Sequence, residues 1–307
     1  MKPEQAVKPA TSIHFVVPFA VYAGYAAMRS ELRIDHLLVL AVVVVLVVLG
    51  PRTKELLLGL YPFGLVGLLF DSMRPYQRVG LTESRVLLCD LRGVESRLFG
   101  WESGGERFTL HDFFREHHWV GLDLFCAVPY ATFIFWCVAG AIFLYVKDRP
   151  AMRRFAWGWF LLNVAAFATY HLLPAAPPWY FHEHGCTVDL ATKASEGPVL
   201  ARVDALLGVG YFHGMYARAS SVFGALPSLH CAYPLLLVIE GWRSFGPRMR
   251  AASIAYYLAM VFSAVYLDHH WVLDALMGSA YAVGVSVLLR YVEAVRRERA
   301  LRTEAAA

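Results

Sequence analysis

Apolar residues along this chain are grouped in long continuous runs rather than alternating with polar ones. The stretch LLVLAVVVVLVVLG, residues 37–50, contains no polar side chain. Runs of about 20 predominantly apolar residues are typical of helices that cross a membrane. The pattern predicts eight such helices. They cover about residues 12–28, 37–50, 54–70, 120–146, 154–173, 227–242, 251–267 and 271–292.

The composition also indicates an integral membrane protein. Hydrophobic residues make up 58% of the 307 positions and charged residues 17%, whereas a soluble domain has about 45–50% and about 25%. We therefore predict an all-α protein, a polytopic membrane helix bundle of about eight transmembrane helices with a six-helix core formed by the later ones. No soluble domain with a basic face and stacking aromatic residues is visible, so nucleic acid is not an expected partner.

Positive charges are concentrated in three segments that the predicted helices place on one side of the membrane. They are the connections KDRPAMRR (147–154) and WRSFGPRMR (242–250) and the Arg-rich tail after residue 292. Because Lys and Arg accumulate in cytoplasmic loops, we predict that this side and both termini are cytoplasmic. The extracytoplasmic side then receives the segments 71–119, 174–226 and 268–270.

The predicted extracytoplasmic segments carry three smaller features. Cys89 and Cys186 both lie there, so a disulfide between them is possible. LLCDLRGVESRLFG (87–100) interleaves apolar and charged residues at helical spacing, which predicts a short helix on the membrane surface. The cluster HEHGC (182–186) is either a metal site or an ordinary surface loop, and its order matches no zinc motif, which favours the loop.

Two histidines begin predicted helices at the extracytoplasmic face. His230 follows Pro227 and Ser228 at the start of the sixth helix, and His270 starts the eighth. Asp274 follows His270 by four residues, so both side chains share one helix face and the carboxylate can orient the imidazole. One histidine can then attack while the other supplies a proton. Ionisable groups in membrane segments are expensive and usually functional, which favours a site over three interfacial residues.

These residues match known motifs. PSLH (227–230) and SAVYLDHHWVLD (263–274) resemble the paired motifs of the type 2 phosphatidic acid phosphatase superfamily. The resemblance implies that His270 is a nucleophile that forms a phosphohistidine, that Asp274 orients it, and that His230 protonates the leaving oxygen. It also implies a membrane enzyme without a metal or other cofactor, which acts on a phospholipid donor and a lipid acceptor at an extracytoplasmic site.

The resemblance also implies a domain organisation. N-terminal transmembrane helices occupy 1–50, the catalytic membrane domain occupies 51–292, and a cytoplasmic tail occupies 293–307. Two other chemistries use the same residues: a catalytic zinc ion held by the two histidines and Asp274, or Ser228 as a hydrolase nucleophile. The match of both motifs disfavours zinc, and the absence of a Gly-x-Ser-x-Gly turn disfavours the serine.

A narrower resemblance points to one branch of the superfamily. YHLLPAAPPWYF (170–181) and VFGALPSLH (222–230) are similar to stretches of inositol phosphorylceramide synthases. This implies transfer of phosphoinositol from phosphatidylinositol to a lipid hydroxyl such as that of ceramide. The alternatives are a phosphatase for polyprenyl or glycerolipid phosphates and a lipid carrier that merely keeps the site.

Two cations of the superfamily pattern are missing. Ala264 stands at the position of an arginine in the second motif, and Gly67 at the position of a lysine in the first. A phosphodiester carries one negative charge and a monoester close to two, so fewer cations favour a phosphodiester head group.

Seven further residues are candidates for substrate binding: Ser228, Arg74, Arg78, Arg218, Asp71, His171 and Tyr266. The arginines are candidates because a guanidinium binds phosphate in a bidentate way. Each has a simpler alternative. Arg74 and Arg78 are equally consistent with interfacial charges, and Asp71 with an ion pair to a nearby arginine.

Overall fold

The computed structural model describes residues 13–49, 51–73, 79–217, 219 and 221–305. By its internal contacts the chain divides into two compact units, Met1–Ser72 and Met73–Ala307. The third helix belongs almost entirely to the first unit, whereas the predicted domains group it with the later helices. The boundary of the catalytic domain therefore stays a prediction.

The first unit is a group of three helices. They are α1 (Ile13–Met28), α2 (Ile34–Val48) and α3 (Pro51–Met73). Phe19, Val43 and Leu57 are buried at their common core. Phe15 packs edge-on against Tyr61, with ring centroids 4.9 Å apart. The apolar patterns of these three segments therefore form helices that share a small core.

The second unit contains the remaining described helices and one short strand pair. The helices are α4 (Cys89–Phe99), α5 (Leu110–Glu116), α6 (Val120–Lys147), α7 (Arg149–Leu172), α8 (Pro178–His184), α9 (Gly197–Leu207), α10 (Tyr211–Tyr216), α11 (Leu229–Gly241), α12 (Pro247–Tyr266) and α13 (Val272–Ala305). Strands β1 (Trp101–Ser103) and β2 (Glu106–Phe108) pair antiparallel, with Glu102 opposite Arg107.

Each of the eight predicted membrane helices coincides with a helix of the structure. Among the described residues, four helices are long and apolar enough to cross a membrane: Leu56–Met73, Val120–Lys147, Pro247–Tyr266 and Val272–Ala305. Three more are apolar but shorter: His14–Met28, Ile34–Val48 and Leu229–Gly241. The prediction of an all-α, polytopic membrane bundle is confirmed. The tail after residue 292 continues α13 as an exposed helix end.

Helix α11 is the central helix of the second unit and packs against α6, α7, α12 and α13. Leu236 and Leu237 are fully buried in these contacts. A Cβ on Gly140 of α6 would lie 2.5 Å from Leu237 Cδ2, so glycine lets the two helices approach. Small residues serve the same purpose in other membrane bundles. This packing fixes the start of α11, where His230 lies.

Three extended segments pair beside the start of α11. Leu87, Ala175 and Gly224 form two parallel bridges, with Ala175 in the middle. Ala225 N donates to the Ala175 carbonyl at 3.1 Å, and Ala176 N donates to the Leu87 carbonyl at 3.0 Å. We call these paired segments the extended layer. The residues just before His230 therefore belong to this hydrogen-bonded layer, which fixes their backbone.

A disulfide links two of the loops around this layer. Cys89, the first residue of α4, is bonded to Cys186, which follows α8. The possibility raised by the sequence is thus realised. The short helix expected over 87–100 is also present as α4, and its inner face buries Leu91 and Glu95.

Candidate active site

The turn between α12 and α13 presents two consecutive histidines. The Ala264 carbonyl accepts hydrogen bonds from His269 N at 3.2 Å and His270 N at 3.0 Å. Asp268 has a φ of 65°, a left-handed conformation that is uncommon for a residue other than glycine. The chain therefore reverses within a few residues. Ala264, at the position of the missing family arginine, is itself fully buried under the turn.

The structure brings His230 and His270 together. His230 Nδ1 lies 3.2 Å from His270 Nε2. His270 Nδ1 lies 3.0 Å from the Ala225 carbonyl oxygen of the extended layer. Asp274 Oδ2 is slightly farther from the same nitrogen, at 3.5 Å. The sequence predicted that the Asp274 carboxylate orients the His270 imidazole. In the structure, the Ala225 carbonyl and the Asp274 carboxylate both hold it.

These contacts determine which nitrogen of His270 carries the proton. A carbonyl oxygen only accepts hydrogen bonds, so His270 Nδ1 is the donor to Ala225. In the neutral ring, Nε2 then has the free lone pair, and His230 Nδ1 donates to it. His270 Nε2 therefore has an oriented lone pair that can act as a nucleophile, and the proton on His230 lies next to it.

Ser228 and Asp274 join the loop before α11 to the start of α13. Ser228 is fully buried, and its Oγ accepts a bond from Cys231 N, which caps α11. Ser228 N donates to the Asp274 carbonyl at 2.9 Å. A Cβ on Gly278 would lie 2.1 Å from the Ser228 carbonyl oxygen. The two histidine-bearing elements are thus in direct backbone contact.

Aromatic rings enclose His230. The Tyr130 ring stacks on it at 4.5 Å with an angle of 13° between the planes, and Phe133 lies 4.7 Å away at 55°. The Tyr130 and Tyr216 hydroxyls are buried, with no hydrogen-bond partner in the part of the chain that the structure describes. Sequence patterns gave no signal for these tyrosines, because aromatic residues in apolar helices are ordinarily core residues.

His269 does not share the environment of its neighbour. Its Nε2 lies 2.7 Å from the Glu196 carbonyl oxygen, and its ring stacks on Tyr216 at 4.8 Å. Burial lowers the pKa of His269 to about 4, so the ring is neutral. This histidine therefore joins the turn to the segment before α9.

A second group of ionisable residues holds the other side of the turn. His111 Nδ1 lies 3.0 Å from Asp268 Oδ1, and His182 Nδ1 lies 2.6 Å from Asp268 Oδ2. Glu95 accepts hydrogen bonds from Val272 N at 2.9 Å and Leu273 N at 3.2 Å. No sequence motif indicated Glu95 or His111. The only sequence feature that could have indicated them is that each is an ionisable residue among the apolar residues of a short helix.

The sequence interpretation of HEHGC as a surface loop is wrong for His182, whereas Cys186 lies in an exposed turn after α8. His182 lies in α8 with its side chain 7% exposed, and Cys186 is in the disulfide. The apolar face of α8 packs into the core and carries His182 to Asp268. Within the described residues, no three His, Cys, Asp or Glu side chains are arranged to hold a metal ion.

Three other candidate residues have partners apart from the histidine pair. The Tyr266 hydroxyl donates to Asp123 Oδ1 at 2.5 Å. Asp71, in the first unit, lies 3.0 Å from both Arg33 Nη1 and His36 Nε2, which confirms the ion-pair alternative. His171 is exposed at the end of α7, and its carbonyl accepts a bond from Arg85 at 2.8 Å.

The three arginines proposed as phosphate clamps lie outside the described residues. They are Arg74, Arg78 and Arg218. Their part in substrate binding stays a prediction.

Comparison with known proteins gives a consistent set of relatives. The model of the PAP2 superfamily matches residues 98–288. A phosphoinositol dihydroceramide synthase of Bacteroides thetaiotaomicron is 31% identical over 272 residues, which cover 87% of this chain and 88% of that protein. No solved structure matches.

Two fungal proteins match a shorter region. The inositol phosphorylceramide synthase of Candida albicans is 31% identical over 173 residues, 55% of this chain and 36% of its own length. The catalytic subunit of the same enzyme from Saccharomyces cerevisiae is 29% identical over 173 residues, 55% of this chain and 43% of its own length. The chain thus spans less than half the length of these fungal relatives.

Proposed function

The chain belongs to the PAP2 superfamily, and from this membership we propose that it is a membrane enzyme that transfers phosphoinositol to a lipid hydroxyl. The donor is phosphatidylinositol and the acceptor is a ceramide or dihydroceramide. The observation that carries the proposal is the contact between His230 Nδ1 and His270 Nε2, 3.2 Å apart. The names of the relatives, above all the bacterial phosphoinositol dihydroceramide synthase, support the substrate class.

The first step transfers phosphoinositol to the enzyme. His270 Nε2 attacks phosphorus, an N–P bond forms, and the bond from phosphorus to the diacylglycerol oxygen breaks. His230 enters this step as an imidazolium and gives its Nδ1 proton to that oxygen, so it becomes a neutral imidazole and diacylglycerol leaves as an alcohol. The positive charge left on the His270 ring is shared with the Ala225 carbonyl and Asp274, 3.0 Å and 3.5 Å from Nδ1.

The second step transfers the group to the acceptor. His230 now accepts the proton of the acceptor hydroxyl, whose oxygen attacks phosphorus as the N–P bond breaks. Two displacements at one phosphorus atom give net retention of configuration. Water in place of the lipid hydroxyl would give hydrolysis instead, so exclusion of water decides the outcome.

Donor binding requires the two rings to separate. A nucleophile approaches phosphorus to about 3–3.5 Å, and an acid must lie about 2.6–3.2 Å from the leaving oxygen. Phosphorus and oxygen do not fit between nitrogen atoms 3.2 Å apart. His270 is anchored at Nδ1, so His230 is the ring that shifts, sliding along the Tyr130 face.

The phosphate also needs hydrogen-bond donors. The Tyr130 and Tyr216 hydroxyls are buried and unpaired among the described side chains, and their rings contact His230 and His269. We assign them to the diester oxygens, together with cations from Arg74, Arg78 or Arg218. Neutral donors suit a phosphodiester, which carries a single charge.

The membrane orientation follows from the distribution of basic residues. The Arg-rich connections at 147–154 and 242–250 lie at the opposite ends of α7, α11 and α12 from the histidine pair. If they are cytoplasmic, both termini are cytoplasmic and the site faces the extracytoplasmic side. The Cys89–Cys186 disulfide supports this orientation, because disulfides persist in oxidising compartments.

The test follows the labelled head group. Purified protein is incubated in chelator with phosphatidylinositol labelled in the inositol ring, with and without ceramide. We expect ceramide-dependent label in a new lipid and, for His270→Ala, a rate lower by at least about 10⁴-fold. His118→Ala removes an exposed histidine on another segment and should match the wild type.

Other distributions of the label would contradict the proposal. Label only in water-soluble inositol phosphate identifies a hydrolase, and turnover only of polyprenyl or glycerolipid phosphates identifies the phosphatase alternative. Loss of turnover in chelator would restore the zinc hypothesis. Transfer that persists in His270→Ala would remove His270 from the chemistry.

A further inference from the structure

Five ionisable side chains hold the turn that carries His270 at Asp268 and at the start of α13. We call them the turn clamp: Glu95, His111, Asp112, His182 and Asp268. They come from α4, α5, α8 and the turn itself. Each of these side chains contacts another of them or the backbone of the turn, so the group is connected.

Glu95 caps the helix that follows the turn. Its two carboxylate oxygens accept from Val272 N at 2.9 Å and from Leu273 N at 3.2 Å. These are orphan amides of the first turn of α13, which a negative group stabilises also through the helix dipole. Glu95 is 1% exposed. A carboxylate from a distant helix therefore fixes the start of α13, two residues after His270.

His111 connects this cap to the turn. Its Nε2 lies 3.7 Å from Glu95 Oε1 and its Nδ1 lies 3.0 Å from Asp268 Oδ1, with no exposure of the side chain. The ring also packs edge-on against Trp271 at 5.1 Å. Because Asp268 and Trp271 flank the histidine dipeptide, His111 contacts the turn on both sides of His270.

His182 extends the clamp to a second carboxylate. Its two ring nitrogens lie 2.6 Å from Asp268 Oδ2 and 3.2 Å from Asp112 Oδ1. Asp112 is bound in turn by Arg92 at 3.2 Å and by Thr109 N at 2.8 Å. His182 thus holds one carboxylate oxygen of Asp268 by a hydrogen bond, and His111 lies 3.0 Å from the other as an ion-pair partner. Both contacts favour the left-handed conformation of Asp268.

The charges of the clamp balance together with Arg92 when both histidines are protonated. Glu95, Asp112 and Asp268 are negative, while His111, His182 and Arg92 are positive. Burial alone lowers the pKa of His111, but the Asp268 and Glu95 carboxylates outweigh it and raise the pKa to about 9. An uncompensated buried charge is strongly destabilising, so loss of one member perturbs the others.

We propose that Glu95, His111 and Asp268 are positioning residues that hold the His270 ring in line with His230, without touching the reacting atoms themselves. The inference rests on the proposed role of His270 as nucleophile. None of these three side chains has a measured contact with the His230 or His270 ring. They act through the backbone of residues 268–273, which the clamp and the Ala264 carbonyl hold from two sides.

Two variants test the clamp in different ways. Glu95→Gln keeps the shape of the cap and removes its charge. Asp268→Gly removes a carboxylate while suiting the positive φ, so any loss is due to the side chain and not to backbone strain. Asp90→Asn changes an exposed carboxylate on the same helix as Glu95 and is the matched control.

Two readouts separate positioning from general stability. We expect Glu95→Gln and Asp268→Gly to lower kcat by about 10–100-fold, with KM for the donor within about twofold of the wild type. In protein labelled with ¹⁵N-histidine, the His270 ring signals, assigned with His270→Asn, should lose the pure Nδ1–H tautomer in both variants. Asp90→Asn should match the wild type in both measurements.

The inference is overturned if the His270 signals stay unchanged in both clamp variants, or if kcat is unaffected. It is also overturned if the loss of kcat disappears once the rate is divided by the fraction of folded protein. If Glu95→Gln does not fold, Asp268→Gly decides the question alone. Because the ring signals need no turnover, a changed tautomer in a protein that transfers no phosphoinositol would retain the clamp and reject the proposed function.

Discussion

The histidine pair and the turn clamp are two groups of ionisable residues that contact one short turn, and they are built differently. In the pair, His230 and His270 have one hydrogen bond to each other and an aromatic ring against His230. In the clamp, Asp268 has a hydrogen bond to His182 on one oxygen and an ion pair with His111 at the other. The two rings of the pair share one hydrogen bond that a substrate can displace, and the carboxylates of the clamp face its two histidines and Arg92.

This difference separates the residues proposed to carry out the reaction from those proposed to support them. A nucleophile needs an atom without a permanent partner, and His270 Nε2 faces only a second, displaceable imidazole. A support needs partners that do not exchange, and three acids matched by three bases provide them. We therefore expect changes in the pair to alter the chemical step directly, and changes in the clamp to alter geometry and stability.

The largest effect that distinguishes the two groups is expected for His230→Gln. Without the acid, diacylglycerol leaves as an unprotonated alkoxide, so turnover of phosphatidylinositol should fall by about 10²–10⁴-fold. A phosphodiester with a nitrophenol leaving group needs no acid, so formation of the intermediate from it should change far less. Parallel rate measurements with the two donors check this. Equal losses for both donors would show that His230 is not the acid.

A smaller effect is expected for Asp274→Asn. The Ala225 carbonyl, 3.0 Å from His270 Nδ1, still fixes the tautomer, whereas the carboxylate at 3.5 Å contributes mainly charge. We expect turnover to fall by about 10–100-fold, the range for groups that orient a catalytic histidine from outside. Steady-state kinetics of the purified variant measure it. A loss as large as that of His270→Ala would mean that the carbonyl does not orient the ring.

A change of pH is expected to have the smallest effect on turnover, but a clear effect on the free energy of unfolding. His111 has a pKa of about 9 in the folded protein and about 6.5 when unfolded. A raised pKa contributes stability that is complete below pH 6.5 and is lost as the pH rises through 9. The free energy of unfolding should fall by about 2 kcal/mol between pH 7 and pH 9.

Unfolding of the detergent-solubilised protein across this pH range measures the effect, with His111→Gln as the comparison. Glutamine does not titrate, so the variant should lose most of the slope that the wild type shows. The groups facing His111 are Glu95, Asp268 and Trp271. The same slope in both proteins would show that His111 is not the group that titrates.

The sequence was sufficient where the signal is local or belongs to a paired motif. Apolar runs predicted eight helices of the structure within a few residues, and four of those that the structure describes are long and apolar enough to cross a membrane. His230 and His270 were predicted as a pair across forty positions because each begins a helix on the same predicted side. The charge pattern of 87–100 likewise predicted α4.

Sequence patterns could not predict the groups that orient these histidines. The Ala225 carbonyl has no side-chain signal, and it reaches His270 only because the extended layer fixes that backbone. Glu95 and His111 lie more than 150 positions before His270, in segments with no motif that relates them to the turn. His182 appeared beside Cys186 as part of a surface cluster, although the fold of α8 buries it.

The most direct test is to trap the group on His270. Enzyme turning over phosphatidylinositol labelled at phosphorus is quenched with alkali, digested and mapped. We expect alkali-stable, acid-labile label on the peptide that contains His270, lost when ceramide is added before the quench, and undetectable in His270→Ala. Label on another residue, or active enzyme that never carries label, would contradict the assignment of His270 as the nucleophile.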